Sequence, residues 1–280
     1  SLHDALPIYL FIDEAGQTSL ANLVAMGTAA KNLVFLGDQM QLGQPLQGQH
    51  PGDAGLSALE YLLRDNATVP PPSGVLLNQT WRMHPDVCHF ISQALYDGRL
   101  TNQKDTARQQ LVLTTTADPA LKASGIVFES VNHEGCAQTS EAEVARINQL
   151  VASLLKQTYI DSAGVSHAFT AANILIVAPY NAQVRLLKQR LPEDIKIGTV
   201  DKFQGMEAEV VIVSMTTSSG EDMPRDMAFL FDRRRLNVAV SRAKTLAIIV
   251  ASPRLLDVDC KTPEQMALAD TLCWAAELGS

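Results

Sequence analysis

"IKIGTVDKFQGMEAEVVIVSM", residues 195 to 215, holds two apolar runs separated by a polar loop. The second run, "AEVVIVSM" (208–215), is nearly continuous in its apolar character instead of alternating, which is the pattern of a strand covered on both faces. Outward from it, the same character returns in "YLFID" (9–13), "NLVFLGD" (32–38), "GIVFESV" (125–131), "NILIVAP" (173–179) and "TLAIIVAS" (245–252). Helical patterns lie between these runs. Residues 139–159 place Val144, Ile147, Val151, Leu154 and Leu155 on one helical face, and Ser140 with Glu143 has the spacing of a capping box. Residues 181–191 and 262–278 also read as helices, the second opened by Thr262 and Gln265. Strands alternating with helices predict an α/β fold with largely parallel sheets.

The 280 residues, 46% hydrophobic and 19% charged, suit one large or two medium globular domains with proper cores. A net charge of -8 and a pI near 5.2 give no global positive field, so any nucleic-acid contact must be local. The four cysteines lack C-x-x-C spacing, which points to reduced thiols and a cytoplasmic protein. No apolar stretch reaches the roughly 18 residues of a bilayer span, and no secretory pattern precedes the first strand. The proline-dense "NATVPPPSGV" (66–75) forbids helix and central strand alike and predicts two domains, 1–72 and 73–280. The first piece has only two strands, too few to stand alone, and "SLHDALP" (1–7) runs almost directly into one of them. The chain is therefore expected to begin inside a domain. "GQPLQGQHPGDAG" (43–55) is a glycine-rich loop whose plain reading is a surface connection.

Candidate chemistry gathers at element ends. "YLFIDEAGQ" (9–17) finishes on Asp13 and Glu14. A carboxylate at the C-terminal edge of a parallel sheet can hold Mg²⁺ on a nucleotide while its neighbour orients or deprotonates the attacking water, though an Asp-Glu pair is also an ordinary solvated strand end. In "FLGDQMQL" (35–42), Gly37 allows a sharp turn, Asp38 accepts hydrogen bonds and Gln41 can reach a phosphate or a water. Two successive strands thus deliver polar groups to one edge, where open α/β sheets bind ligands. "LNQTWRMHPDV" (77–87) sets Arg82 in a turn that Pro85 keeps from running on as helix. Trp81 suits a core or a stack on a base, the core being the commoner fate. The loop Thr199, Asp201, Lys202, Gln204, Gly205 and Glu207 is rich in groups for phosphate oxygens or ribose hydroxyls. "RRRLNVAVSRAK" (233–244) reads as a helix that fixes Arg242 in position, as a catalytic cation requires, while Arg233 to Arg235 read as a solvated basic turn. No carboxylates cluster with a lysine at the spacing of a metal-dependent nuclease.

In order along the chain, "DEAGQ", "GDQMQL", "QTWRMHP", "GTVDKFQGMEAEVVIVSM" and "LNVAVSRAK" resemble motifs II to VI of superfamily 1 helicases. The branch is that of the nonsense-mediated-decay helicase and the replication nuclease-helicase, and the likeness is closest to the helicase part of bacterial proteins with an N-terminal RecB-like nuclease. The resemblance implies RecA-like sheets, a partial first domain before a complete second one, and ATP and Mg²⁺ as substrate and cofactor. Asp13 then corresponds to the Mg²⁺ ligand, Glu14 to the water-activating base and Gln41 to the γ-phosphate sensor, with Asp38 supporting its loop. Arg82 and Arg242 correspond to arginine fingers. Trp81 takes the place of an adenine-stacking aromatic, Glu207 that of a ribose contact, and Lys202, Gln204 and Gly205 fall in motif V beside the nucleotide. Pro179, Tyr180, Asn181 and Thr199 correspond to contacts on single-stranded nucleic acid, DNA in preference to RNA, with 5′ to 3′ movement. Ala178 replaces a threonine common in relatives. No Gly-Lys-Ser or Gly-Lys-Thr phosphate loop occurs. The expectation is an upstream region carrying that loop, and a chain that alone hydrolyses little or no ATP. The competing expectation is a noncatalytic nucleic-acid-binding module with a vestigial ATPase site.

Overall fold

The six apolar runs all become strands in a computed structural model of the chain, which describes residues 6–43, 48, 51–64 and 66–279. Most of the glycine-rich loop, residues 44–47 and 49–50, lies outside the described residues, as do residues 1–5 of "SLHDALP". The chain divides into two compact units, Ser1–Leu77 and Asn78–Ser280, the division falling just beyond the proline-dense segment.

In the first unit, β1 (Tyr9–Ile12) pairs in parallel with β2 (Asn32–Phe35), and α1 (Leu20–Met26) and α2 (Ala58–Leu63) accompany them. Ser19 caps α1 by accepting from Asn22 N–H at 3.2 Å, and Ser57 with Glu60 forms a reciprocal capping box on α2. Ile12, Ala15, Leu59 and Leu63 make a small core with Leu10, Leu23 and Phe35 packed on it. Among the described residues of this unit, this core lies on one face of the pair. Tyr9 is 58% and Phe11 64% exposed, so the expectation that "YLFID" is buried on both faces is corrected.

The second unit is built on a five-stranded parallel sheet. In chain order its elements are β3 (Gln79–Thr80), α3 (Pro85–Leu95), β4 (Thr101–Asn102), β5 (Gln110–Val112), β6 (Gly125–Ser130), α4 (Glu141–Leu154), β7 (Thr158–Ile160) and β8 (Ser166–Ala168). There follow β9 (Ile174–Val177), α5 (Asn181–Arg190), β10 (Lys196–Gly198), β11 (Ala208–Ser214), α6 (Met227–Leu230), α7 (Arg233–Val240), β12 (Ala243–Ala251) and α8 (Pro263–Gly279). The sheet runs β10-β9-β11-β12-β6. α4 and α5 bring Ile147, Leu150, Leu154 and Leu187 into one core with Ile174, Ile176, Ile212 and Ile248. α3, α7 and α8 pack on the sheet as well, and every residue of β9 is buried.

Three features differ from the sequence reading. The helix expected to reach 159 stops at Leu154, because Thr158–Ile160 is taken by an antiparallel sheet, β5-β7-β8. The Asp161–Gly164 turn closes its hairpin, with Asp161 Oδ1 accepting from Val165 N–H at 2.9 Å. Ser140 caps α4 as expected, but the Glu143 side chain turns inward instead of closing the box. The helix opening at Arg233 ends at Val240, since Ala243 is already paired with Ala208, and Arg242 therefore sits in a turn and not on the helix.

Candidate functional site

In the first unit, the turns after β1 and β2 touch backbone to backbone. Ala15 N–H donates to the Leu36 carbonyl at 2.8 Å. A Cβ at Gly37, whose φ is +154°, would lie 2.9 Å from Ala15 N, and one at Gly16 would lie 2.6 Å from the Asp38 carbonyl oxygen, so only glycine fits either place. The contact sets Asp13-Glu14 beside Asp38-Gln41. Asp13 Oδ1 accepts from Glu14 N–H at 2.9 Å, and Glu14 holds a left-handed φ of +50°, a strained conformation for a side chain of this kind. Asp38 accepts from Met40 N–H at 2.9 Å and from Gln41 Nε2 at 3.0 Å, so it organises the loop that carries Gln41. Among the described residues no group of three or more His, Cys, Asp or Glu side chains could cage a metal. One or two exposed carboxylates fit a cation that keeps waters and takes its other ligands from phosphate, as Mg²⁺ does.

In the second unit the cationic groups lie at the opposite, N-terminal edge of the strands. Arg82 Nε donates to Glu207 Oε2 at 2.8 Å, and one terminal nitrogen donates to the Ser241 carbonyl at 3.2 Å. Lys244 bridges Glu207 (3.1 Å) and Glu209 (3.3 Å). Burial works to raise the Glu207 carboxyl, but the hydrogen bonds from Arg82 and Lys244 outweigh it and hold the group below the usual carboxylate range. Burial likewise works against the Lys244 ammonium, and the two glutamates hold it above its ordinary value. The Arg82 turn is pinned twice more: Gln109 Nε2 donates to the Arg82 carbonyl at 2.9 Å, and His84 N–H donates to the Lys244 carbonyl at 2.7 Å. Arg242 is buried one residue before β12, with its carbonyl accepting from Ala208 N–H at 3.1 Å. Trp81 is 74% exposed, which corrects the core reading of that ring. Trp81, Arg82, Gln109, Tyr159, Glu207 and Lys244 line a cleft of about 170 Å³. A larger hollow of about 390 Å³, by Lys188, Pro192 and Phe203, has no candidate residue in its lining.

The C-terminal edge of the same sheet carries Pro179, Tyr180, Asn181 and Thr199, and the segment after Thr199 returns toward the start of β11. Asn181 is exposed in the first turn of α5 and Pro179 is half-buried. Tyr180 is buried, its ring 5.6 Å from that of Phe229 and its hydroxyl 3.4 Å from Thr217 Oγ1, so it offers no open face to a base and the expected Tyr180 contact is corrected to a packing role. Thr199 leads into a short 3-10 turn, Val200–Phe203, with Lys202 and Gln204 exposed and Gly205 at a φ of +77°. The basic run is not a solvated turn. Arg233 donates to the Ala94 carbonyl, while Arg235 pairs with Asp201 at 3.6 Å and Asp232 at 3.7 Å.

Beneath this edge lies a polar cluster that sequence reasoning missed. Glu143, fully buried, accepts from Thr216 N–H with both oxygens at 2.9 Å and meets Ser214 Oγ at 2.5 Å and His133 Nε2 at 3.0 Å. His133 Nδ1 lies 2.7 Å from Ser218 Oγ, which accepts from Cys136 N–H at 2.9 Å. Burial pushes the Glu143 carboxyl up, against the hydrogen bonds from His133, Ser214 and Thr216. Thr216 holds a φ of +70°, a strained conformation that aims its N–H at the carboxylate.

The profile of the AAA domain family matches residues 55–254. This chain belongs to that family. Among curated proteins it is 29% identical over 257 residues to the Regulator of nonsense transcripts 1 homolog of Arabidopsis thaliana, covering 88% of this chain and 20% of that protein. It is also 29% identical to the DNA polymerase alpha-associated DNA helicase A of Schizosaccharomyces pombe, covering 84% of this chain and 36% of the relative. A solved Arterivirus nonstructural protein 10 helicase, in complex with DNA, aligns at 17% identity and a TM-score of 0.43, over 86% of this chain and 39% of that one. The chain spans between about a fifth and just over a third of the length of these curated relatives. The relatives place this AAA domain protein among the superfamily 1 helicases, and its α/β fold with a five-stranded parallel sheet agrees with the expected class.

Among the described residues, no helix is long and apolar enough to cross a membrane. Two features of the site were open to sequence reasoning and were passed over. Lys244 stands two residues from Arg242 at the head of a strand, and Asp161–Gly164 between two β-prone runs is a hairpin signal.

Proposed function

We propose that the chain is the C-terminal part of an ATP-dependent helicase or translocase that moves on single-stranded nucleic acid, DNA in preference to RNA, in the 5′ to 3′ direction. Residues 1–72 are read as the back of a first RecA-like domain and 73–280 as a complete second one. The observation that carries the reading is the hold on Arg82. Its guanidinium is fixed by Glu207 and the Ser241 carbonyl, beside the exposed Trp81 and one residue from Arg242, which is the preorganisation a charge-stabilising arginine needs. In phosphoryl transfer such an arginine contributes about 10³ to 10⁵ in rate.

In this reading Asp13 holds the Mg²⁺ of the nucleotide, which supplies charge neutralisation on the phosphate oxygens. Glu14 takes the proton of the attacking water, and Gln41, tethered to Asp38, senses the γ-phosphate. Trp81 stacks on the base and Glu207 accepts from a ribose hydroxyl, with Lys202, Gln204 and Gly205 bordering the nucleotide. Pro179, Asn181 and Thr199 contact the strand. The phosphate-loop lysine comes from an upstream region, which in relatives of the expected kind also carries a RecB-like nuclease, and the present chain alone hydrolyses little ATP.

The test is strand-stimulated ATP hydrolysis by the chain extended upstream, beside the 280-residue chain and a Glu14→Gln variant of the long form. Stimulated turnover in the long form, lost in Glu14→Gln and absent from the short chain, is the expected result. Strand binding without turnover in the long form would replace this reading with that of a noncatalytic binding module.

A further inference from the structure

The residues read as strand contacts, Pro179 and Asn181 after β9 and Thr199 after β10, are separate in sequence. A third segment, which no motif reading singled out, joins them. Phe229 on α6 is its centre: the Tyr180 ring lies 5.6 Å away, the Arg225 guanidinium 4.3 Å from the Phe229 centroid and the Arg235 guanidinium 4.7 Å from it. Arg235 then reaches Asp201, inside the Thr199–Gly205 loop, at 3.6 Å. These contacts link Tyr180, Phe229, Arg225 and Arg235 to Asp201, two residues after Thr199, so the segment of α6 lies between the Asn181 and Thr199 elements.

The two arginines on that ring differ. Arg235 is spent on Asp201 and Asp232. Arg225 is exposed and, among the described residues, has no carboxylate partner. The acids of its own segment are partly committed: Asp226 caps α6 by accepting from Phe229 N–H at 3.0 Å, and Asp222 meets Ser219 Oγ at 2.6 Å. An aromatic ring beneath a guanidinium attracts the cation and limits its excursions, while its N–H donors stay open to an anion. In a chain of net charge -8, a supported and unpaired arginine at the end of a polar, glycine-containing loop is a local phosphate-binding feature where the global field is wrong for one.

We propose that Arg225, seated on Phe229, is a phosphate contact for single-stranded nucleic acid and joins the Asn181 and Thr199 contacts in one binding surface. The inference rests on the strand-binding part of the proposed function and needs no ATP hydrolysis. Its test uses the 280-residue chain with fluorescein-labelled oligothymidylate and oligouridylate, the dissociation constant being measured by anisotropy over a series of salt concentrations. Arg225→Gln is expected to weaken binding several-fold and to lower the slope of log affinity against log salt by about 0.7, the loss of one phosphate contact on a single strand. Lys156→Gln removes the same charge from an exposed position after α4 and is expected to leave the slope unchanged. If Arg225→Gln matches Lys156→Gln while the parent chain binds, the Arg225 contact is overturned and strand binding stands. If the parent chain binds neither oligonucleotide, the strand reading falls and takes the inference with it. Equal slopes for the two oligonucleotides mark a backbone contact, and a loss confined to one identifies which sugar the surface takes.

Discussion

"YLFI" in β1 and "ILIV" in β9 are four-residue apolar runs of nearly equal composition, yet all of β9 is buried while Tyr9 and Phe11 of β1 stand in solvent. The difference lies in what surrounds them. β9 is flanked by β10 and β11 and buried throughout, whereas among the described residues β1 has one strand partner and leaves Tyr9 and Phe11 exposed. An apolar run tells that a strand can be buried on both faces; only the number of layers decides whether it is. Each large side chain left in solvent forgoes about 1.5 to 3 kcal/mol of burial.

The widest test of this contrast is amide hydrogen exchange. Amides of β9, β11 and β12 are expected to exchange at least about a thousandfold more slowly than those of β1 and β2, because the central sheet opens only with its unit. Equal protection would break the comparison and mean that the exposed face of β1 is covered in solution. Point substitutions sharpen it further. Ile176→Ala, from a fully buried side chain, is expected to cost about 2 to 5 kcal/mol in denaturant unfolding. Phe11→Ser, on the open face, is expected to change stability by no more than about 0.5 kcal/mol.

A smaller effect is expected at Glu143, where the covered unit buries charge and not only hydrocarbon. Glu143→Gln keeps the shape but places an amide donor against either the Thr216 N–H or the Ser214 and His133 side, and one buried polar group goes unmatched. The expected cost is about 1 to 3 kcal/mol. An unchanged melting temperature would mean that the carboxyl is protonated in the folded protein and that an amide replaces it without loss.

Much of this was legible in the sequence for a physical reason. The parallel strands announce themselves because burial on both faces removes polar residues from "AEVVIVSM" and "TLAIIVAS". Asp13, Glu14, Asp38 and Gln41 were found as polar groups ending apolar runs, and Asp38 does organise the Gln41 loop. What escaped was set by contacts between distant residues. Nothing near Glu143 in sequence says that it faces His133 and Thr216 and not the Ser140 backbone. Arg82, Glu207 and Lys244 meet only because β11 and β12 start side by side, which no local pattern encodes. Trp81 and Tyr180 exchange the places their chemistry suggests: the larger ring lies in solvent and the smaller one is packed on Phe229.

The smallest effect separates the two units by pH. The helices of the first unit are capped by Ser19 and Ser57, hydroxyls that do not titrate, whereas α3 in the second is capped by His84, whose Nδ1 accepts from Asp86 N–H at 3.2 Å. That acceptance needs an unprotonated Nδ1. Burial lowers the His84 pKa below its ordinary value, against the pull of Asp86 and a backbone contact at Ala107. A depressed folded pKa means that the unfolded chain takes up the proton first. The stability this cap contributes is therefore present above about pH 6.5, the unfolded value, and is lost as pH falls through the lower folded one. His84→Asn caps without titrating, so it is expected to flatten the decline of unfolding free energy between about pH 7 and 5 by roughly 0.5 to 1 kcal/mol. Because His84 N–H also donates to the Lys244 carbonyl two residues after Arg82, the same proton should loosen the turn that aims Arg82. A decline equally steep in His84→Asn would mean that the acid sensitivity of this unit does not arise at the α3 cap.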